Sequence, residues 1–248
     1  MSRVLRALIT GGGRRIGAEL VRRCAEMNFQ VYIHVRNSRQ EAEELRLSLH
    51  NSFRHEIVEC DFSDPAARQK FIAQLPPLDL LVNNASVYRL NKPGTEENDV
   101  VRNCYWQVNY HAPLELIEQQ RRQLEPGNSA LVVNLLDCQV LNFSGGVRET
   151  FDLSAHEDSY LTTRIALAAK LNELAKKYAP ELRICSIAPG PVLPPVDCAT
   201  RGMTRILDEV PMHRPVEVAE IANALEFCWR NRSLTGVILP VDGGMHLN

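Results

Sequence analysis

The amino-acid sequence predicts an α/β fold, a single doubly wound domain in which a seven-stranded parallel sheet carries helices on both faces. Seven apolar runs typical of strands alternate with segments whose apolar residues recur at helical spacing. This alternation favours a parallel sheet, because parallel strands are joined by crossover helices that cover its faces. A glycine-rich turn between the first strand and the first helix makes the expected domain Rossmann-type.

The expected elements follow one another without a shift in composition that would mark a linker. Near-continuous apolar runs such as Val31-Tyr32-Ile33 and Leu131-Val132-Val133 are typical of strands buried on both faces. Strands are expected at residues 4–9, 30–35, 55–59, 79–82, 131–135, 182–187 and 236–241. Helices are expected at 16–27, 38–50, 64–74, 98–123, 160–178 and 216–230. Residues 1–248 are expected to form one domain, with substrate-site loops at 139–159 and 189–213.

Composition narrows the class of function. The chain has 45% hydrophobic and 23% charged residues, as globular proteins do, and its formal net charge is −2. This balance gives no general attraction to nucleic acid or to an anionic membrane, so neither is an expected partner. The seven cysteines are scattered without zinc spacing, which predicts reduced thiols and no metal site. No signal-like or membrane-length apolar run is present, and a cytoplasmic enzyme is expected.

The glycine turn predicts a phosphate site. Glycines 11, 12 and 13 follow the first strand, and Gly17 lies in the first turn of the expected helix. A strand that feeds a helix through such a turn directs backbone N–H groups and the positive end of the helix dipole at one point. The turn is therefore expected to bind the pyrophosphate of a dinucleotide.

The end of the second strand indicates which dinucleotide binds. Arg36, followed by Asn37, stands where an acidic residue would bind the ribose of NAD. Arginine cannot accept hydrogen bonds from ribose hydroxyls, but its planar fork pairs well with a phosphate. Together with Arg14 in the glycine turn, Arg36 favours NADPH over NADH.

The whole set of motifs resembles the short-chain dehydrogenase/reductase family along the entire chain. Arg15 in place of a usual glycine and Asp137 in place of the usual serine are similar to the pteridine reductase and dihydromonapterin reductase branch. The motifs that carry the resemblance are Thr10-Gly11-(x)3-Arg15-Ile16-Gly17, Asp61, Asn83-Asn84-Ala85-Ser86, Asn109, Tyr160, Pro189-Gly190 and Val241-Asp242-Gly243-Gly244.

The resemblance implies a role for each site residue. It implies that a hydride passes from NADPH to the substrate while Tyr160 assists protonation, aided by a neighbouring cation that stabilises the phenolate. The implied catalytic residues are Asp137, Tyr160, Arg164 and Asn109, the last through a proton-relay water. The implied cofactor-binding residues are Gly11, Arg14, Arg15, Ile16, Arg36, Asn37, Asp61, Asn84, Ala85, Pro189 and Gly190. The implied substrate-binding residues are Arg15, Ser86 and Tyr88, whereas His34, His111 and Trp106 are expected to be core or surface residues.

Two departures from the family pattern affect the catalytic residues. Arg164 replaces the usual lysine, and it keeps the positive charge but presents a bulkier planar fork. Tyr160 follows Asp137 by 23 positions, a wider gap than usual, which implies an insertion near 142–156.

Three functions remain open from the sequence. The first is NADPH-dependent reduction of a pterin of the dihydromonapterin, dihydrobiopterin or dihydrofolate type. The second is reduction of a ketone or 3-oxoacyl substrate, against which Asp137 argues because a carboxylate repels a forming alkoxide. The third is a cofactor-binding relative with impaired catalysis, suggested by Arg164 and by the insertion.

The resemblance also predicts assembly. The long helices expected at 98–123 and 160–178 pack against symmetry mates in the family, and closed twofold arrangements are common among soluble oligomers. We expect a homotetramer, with a dimer as the smaller alternative. Light scattering at micromolar concentration checks this, and a monomer mass would contradict it.

Overall fold

A seven-stranded, all-parallel sheet forms the centre of the protein, with strand order β3-β2-β1-β4-β5-β6-β7. The structure, a computed structural model, describes residues 3–88, 97–141, 159–193 and 206–248. The strands are β1 Arg6–Ile9, β2 Gln30–Val35, β3 Glu56–Glu59, β4 Leu80–Asn83, β5 Ala130–Leu135, β6 Leu182–Pro189 and β7 Ile238–Val241. The described helices are α1 Arg15–Glu26, α2 Arg39–Ser48, α3 Pro65–Gln74, α4 Asp99–Trp106, α5 Ala112–Gln123, α6 Ser159–Tyr178 and α7 Val218–Arg230.

Apolar residues form one buried cluster on each face of the sheet. The cluster on one face takes its helical residues from α1, α2 and α7, and the other takes them from α3, α5 and α6. The central strands β1, β4 and β5 contribute to both clusters, which explains their continuous apolar sequences. The predicted doubly wound, Rossmann-type fold is therefore confirmed. None of the helices that can be described here is long and apolar enough to cross a bilayer.

The one long helix expected at 98–123 is interrupted. Between α4 and α5, Gln107–His111 forms a π-helical segment in which the Ala112 N–H donates to the carbonyl of Gln107. Pro113 supplies the physical reason, because it has no N–H to donate to the carbonyl of Asn109 four residues earlier. The expected single helix was wrong at this point, while its two ends were right.

Gly17 brings α1 close to the strand that precedes it. A Cβ at this position would lie 2.1 Å from the carbonyl oxygen of Gly11 and 2.8 Å from Nδ2 of Asn84. Both neighbours are held in place, Gly11 by the backbone and Asn84 by its hydrogen bonds, so a side chain cannot be accommodated without a shift of the helix.

We therefore expect Gly17→Ala to destabilise the fold by about 1–3 kcal/mol, the usual cost of overpacking. In a chain of this size that lowers Tm by roughly 2–10 °C in a thermal melt. Gly127→Ala shows the separate cost of a left-handed backbone, about 1–2 kcal/mol, because a Cβ there meets nothing within 4 Å. Equal melting temperatures for wild type and Gly17→Ala would contradict the close packing.

Candidate active site

A cavity of about 330 Å³ lies at the carboxyl ends of β1, β2 and β3. The sheet topology brings the ends of these strands together, although they lie far apart in the sequence. The predicted cofactor residues that line this cavity are Gly11, Arg14, Arg15, Ile16, Arg36, Asn37, Asp61, Asn84 and Ala85.

A second cavity, of about 510 Å³, adjoins the first beyond the ends of β5 and β6. It contains the remaining predicted residues apart from Asn109, namely Ser86, Tyr88, Asp137, Tyr160, Arg164, Pro189 and Gly190. The two cavities share Arg15, Ile16, Asn84 and Ser86, so a ligand extending through both would pass these four residues.

The glycine turn uses two of its N–H groups inside the protein. Gly11 donates its N–H to Nδ1 of His34 at 3.1 Å, and Gly12 donates to the carbonyl oxygen of His34 at 2.8 Å. These two amides therefore bind the protein itself and are not among the N–H groups that the turn directs at a ligand. The amides of Ile16 and Gly17 lie in the first turn of α1, where a helix provides no carbonyl for them. These amides are the suitable donors for an anion.

Two exposed arginines begin α1. Arg14 is its extended N-cap, and Arg15, its first residue, has a φ of 55°. A non-glycine residue in this left-handed region is strained, so the backbone explains why glycine is usual here in related proteins. In this conformation Arg15 lines both cavities.

Thr10 and Asn84 fasten the turn to β4. The Thr10 hydroxyl donates to the carbonyl of Val82 and accepts the N–H groups of Asn84 and Ala85, the latter two at 2.9 Å. The Asn84 side chain donates to the carbonyls of Thr10 and Gly11 at 2.8 and 3.1 Å. Asn84 therefore shapes the cofactor cavity through the protein backbone.

His34 is buried, as the sequence predicts, and it also lines the first cavity, a position that sequence reasoning did not assign to it. Its ring is 2% exposed, stacks on Phe62 with centroids 4.1 Å apart, and lies in the wall of the first cavity. Burial lowers the pKa of His34 to about 4, against the opposing effects of the Cys60 carbonyl and Asp61. The available signal was a single histidine next to the carboxyl end of an otherwise apolar strand.

Asp61 and Arg36 line the same cavity. The Asp61 carboxylate accepts the N–H and hydroxyl of Ser63 at 2.9 and 2.7 Å. Burial opposes its ionisation, but the Ser63 hydrogen bonds and then the charge of Arg36 together lower the pKa of Asp61. Arg36 itself is exposed at the end of β2, where its guanidinium is accessible to a ligand.

Asp137 contacts both the backbone and the predicted proton donor. One carboxylate oxygen accepts the Gln139 N–H at 2.9 Å and caps a short 3-10 turn, while the other accepts the Tyr160 hydroxyl at 3.1 Å. Asp137 can therefore cap the turn at the end of β5 and hold Tyr160 at the same time. The structure brings Asp137 and Tyr160 together despite the 23 positions between them.

Arg164 lies one helical turn beyond Tyr160 on α6. Its guanidinium carbon is 5.5 Å from the centre of the Tyr160 ring, and the side chain is only 4% exposed. Burial raises the pKa of Tyr160 most strongly; Arg164 lowers it and Asp137 raises it again, so the net direction is upward. The sequence predicts the effect of Arg164 but misses the larger, opposing effect of burial.

Ser86 and Tyr88 line the second cavity on the loop after β4. The Tyr88 side chain is half exposed, and its ring meets the Tyr160 ring edge-on with centroids 4.7 Å apart. The fully buried Asn109 side chain accepts from Ser86 and from the Val87 N–H, and it donates to the Val87 carbonyl. Asn109 therefore holds this loop, while its role toward a relay water stays a prediction.

Parts of both expected loops, and the insertion expected near 142–156, lie outside the described residues. Of the described part, Pro189 ends β6, and Gly190 donates its N–H to the carbonyl of Val241. Within the four described ranges, no group of three or more His, Cys, Asp or Glu residues could hold a metal ion.

A family model described as short chain dehydrogenase matches residues 6–203. The chain belongs to the short chain dehydrogenase family. It is 26% identical over 245 residues to a dihydromonapterin reductase of Enterobacter sp. (strain 638), covering 97% of this chain and 96% of that protein. It is 28% identical over 246 residues to the L-xylulose reductase of Bos taurus, covering 96% and 95% of the two chains.

Among solved structures, this short chain dehydrogenase is similar to FolM alternative dihydrofolate reductase 1 from Brucella canis, a structure complexed with NADP. The TM-score is 0.84 at 30% identity, and the match covers 98% of this chain and 94% of that one.

The contacts of Thr10 predict a test of how the site is held. Thr10→Val keeps the shape of the side chain but removes the acceptor of the Ala85 N–H, and Asn84 N–H keeps only the Val82 carbonyl. We expect a loss of about 1–3 kcal/mol in the free energy of unfolding, measured by urea titration. Thr10→Ser, which retains the hydroxyl, is the control. Equal stability of the two variants would contradict the assigned bonds.

Proposed function

We propose that the protein is an NADPH-dependent reductase of a pterin, with the cofactor and the substrate bound in the two adjoining cavities. The observation that carries the proposal is the contact of Asp137, Tyr160 and Arg164 in a cavity that Arg15 also lines. The likeness to a dihydromonapterin reductase and to an alternative dihydrofolate reductase supports the substrate class.

The residues of the first cavity fit NADPH. The first-turn amides of α1 would hold its diphosphate, and Arg14 and Arg36 would pair with its 2′-phosphate. In the second cavity, Nε of Arg164 is buried without a hydrogen-bond acceptor in the described parts of the chain, so it has a donor left for the nicotinamide ribose. NADPH, when bound, supplies the hydride.

The chain's own residues supply the proton. Hydride addition to a C=N bond leaves a negative charge on nitrogen; the Tyr160 hydroxyl, which Asp137 holds by a hydrogen bond, would give that nitrogen its proton and become a phenolate. Proton delivery leaves one more negative charge on this pair, and the guanidinium of Arg164 stabilises that charge. Arg15 and Tyr88 would hold the flat ring from two sides, the aromatic contact adding about 0.5–1.5 kcal/mol beyond area burial.

Reduction of a ketone is the second candidate, favoured by the likeness to an L-xylulose reductase. Asp137 opposes it, because a carboxylate next to the acceptor repels a developing alkoxide whereas it tolerates a ring N–H. A panel of dihydropterins and small ketones, assayed by loss of the reduced nicotinamide absorbance, separates the two. Turnover of ketones alone would overturn the pterin proposal.

Cofactor preference is the first test. We expect NADPH to bind more tightly than NADH by about 1.5–3 kcal/mol, the contribution of one or more charge-assisted contacts. Arg36→Ala should remove most of this preference, as measured by fluorescence titration of both cofactors. Arg39→Ala is the matched control, because Arg39 is a nearby exposed arginine paired with Glu59 at 3.0 Å. Equal affinities of the wild type for the two cofactors would contradict the proposal.

Substitutions of Tyr160 and Arg164 form the second test. Tyr160→Phe should abolish turnover while leaving NADPH affinity almost unchanged, because only the proton donor is lost. Arg164→Lys should retain or raise activity, whereas Arg164→Ala should weaken both rate and cofactor affinity. Steady-state rates and cofactor titrations measure these effects.

Tyr110→Phe is the matched control for the loss of a phenol, since Tyr110 packs against Trp106 and His111 and lines neither cavity. A Tyr160→Phe variant as fast as an active wild type would show that the donor is misassigned. A wild type without turnover on any pterin or ketone would instead indicate a cofactor-binding relative with impaired catalysis.

A further inference from the structure

We propose that His34 is a positioning residue for NADPH: its neutral imidazole holds the glycine turn so that the first amides of α1 face the cofactor diphosphate. The inference rests on the proposed location of NADPH at this turn. His34 needs no contact with the cofactor for this role, since it acts through the backbone of Gly11 and Gly12.

Both ring nitrogens of His34 have defined partners. Nδ1 accepts the Gly11 N–H at 3.1 Å, and Nε2 donates to the carbonyl of Cys60 at 3.0 Å. A backbone N–H can only donate and a carbonyl can only accept, so these partners require the neutral tautomer with its proton on Nε2. The same residue also accepts the Gly12 N–H through its own carbonyl, which gives the turn two bonds to one residue of β2.

The ring is prevented from turning away. It lies flat on Phe62, with an angle of 6° between the ring planes, and Phe71 packs against it at 5.4 Å. The carbonyl of Phe62 in turn accepts a hydrogen bond from the buried Arg68 guanidinium, which forms a bidentate pair with Glu115 at 2.8 Å. The segment after β3, α3 and α5 therefore together hold the His34 ring, so that Nδ1 stays in position to accept the Gly11 N–H.

A glycine turn needs such an external support. Glycine has access to more backbone conformations than any other residue, so Gly11, Gly12 and Gly13 do not by themselves define the path into α1. Loss of the acceptor would leave the Gly11 N–H buried and unsatisfied, and the turn would rearrange to reach another acceptor. That rearrangement moves the amides of Ile16 and Gly17, on which anion binding depends.

His55 is the control for a buried histidine that contributes to the stability of the fold and not to cofactor binding. His55 is also buried, accepts the Val31 N–H through Nδ1 at 3.1 Å, and contacts the carbonyl of His50 through Nε2 at 3.2 Å. It therefore makes the same two kinds of bond as His34, but at the opposite end of β2 and outside both cavities.

The experiment compares His34→Leu with His34→Asn by titration of NADPH. The two side chains have nearly the same shape and both lose the stacked ring, but only asparagine offers an oxygen near the position of Nδ1. We expect Kd to rise about tenfold or more for His34→Leu and to stay within about threefold of wild type for His34→Asn. With a substrate from the panel, kcat at saturating NADPH should change less than about twofold, because the proton donors are untouched.

The same pair of substitutions at His55 should lower the thermal midpoint and leave Kd unchanged. Equal affinities of His34→Leu and His34→Asn would overturn the inference, as would an equal loss of affinity in His55→Leu. Arg36→Ala separates this failure from that of the proposed cofactor location. If Arg36→Ala weakens NADPH binding and His34→Leu does not, only the role of His34 is wrong; if neither does, both proposals fail.

Discussion

The glycine turn between β1 and α1 is held from both sides, and the rest of the candidate site depends on this constraint. On one side His34 of β2 accepts the amides of Gly11 and Gly12, and on the other Thr10 and Asn84 link the turn to the end of β4. Glycines allow the sharp turn but contribute little rigidity of their own. The neighbouring strands supply that rigidity, so a feature recognised by its local sequence is built by non-local contacts.

The polar residues at the strand ends bind the backbone and the neighbouring side chains of the candidate site with different atoms. Asp137 caps a turn with one carboxylate oxygen and holds Tyr160 with the other. The Asn109 side chain binds the loop that carries Ser86 and Tyr88, and it therefore affects the second cavity indirectly. Because a buried polar group without a partner is costly, residues at a buried site are held by the protein before any ligand arrives.

The sequence predicts the fold well because the inner strands β1, β2, β4, β5 and β6 are buried on both faces and therefore appear as nearly unbroken apolar runs. The limits of each described strand differ from the expected ones by no more than about two residues, within the usual uncertainty of element boundaries. The π-helical segment escapes prediction, since helical spacing continues through it and only the Pro113 backbone reveals the break.

The sequence predicts which residues lie at the candidate site where strand order alone places them there. It predicts less where their position or pKa depends on contacts between distant side chains. The carboxyl ends of parallel strands share one edge, so residues after different strands can be assigned to one site before the structure is known. His34 escapes this reasoning because a histidine in an apolar strand resembles a core residue, and its partner Gly11 lies 23 positions earlier. The pKa of Tyr160 escapes it as well, because one helical turn fixes the neighbour Arg164 but says nothing of burial or of Asp137.

The replacement of the usual lysine by Arg164 changes how charge is handled around Tyr160. A guanidinium keeps its proton under all conditions in which proteins fold, so Arg164 can stabilise negative charge but cannot pass a proton on. Among the described residues at this contact, the proton that can be passed on is therefore the one in the hydrogen bond between Tyr160 and Asp137. Arg164 therefore differs from a lysine in placing a fixed positive charge beside the Tyr160 ring and no transferable proton.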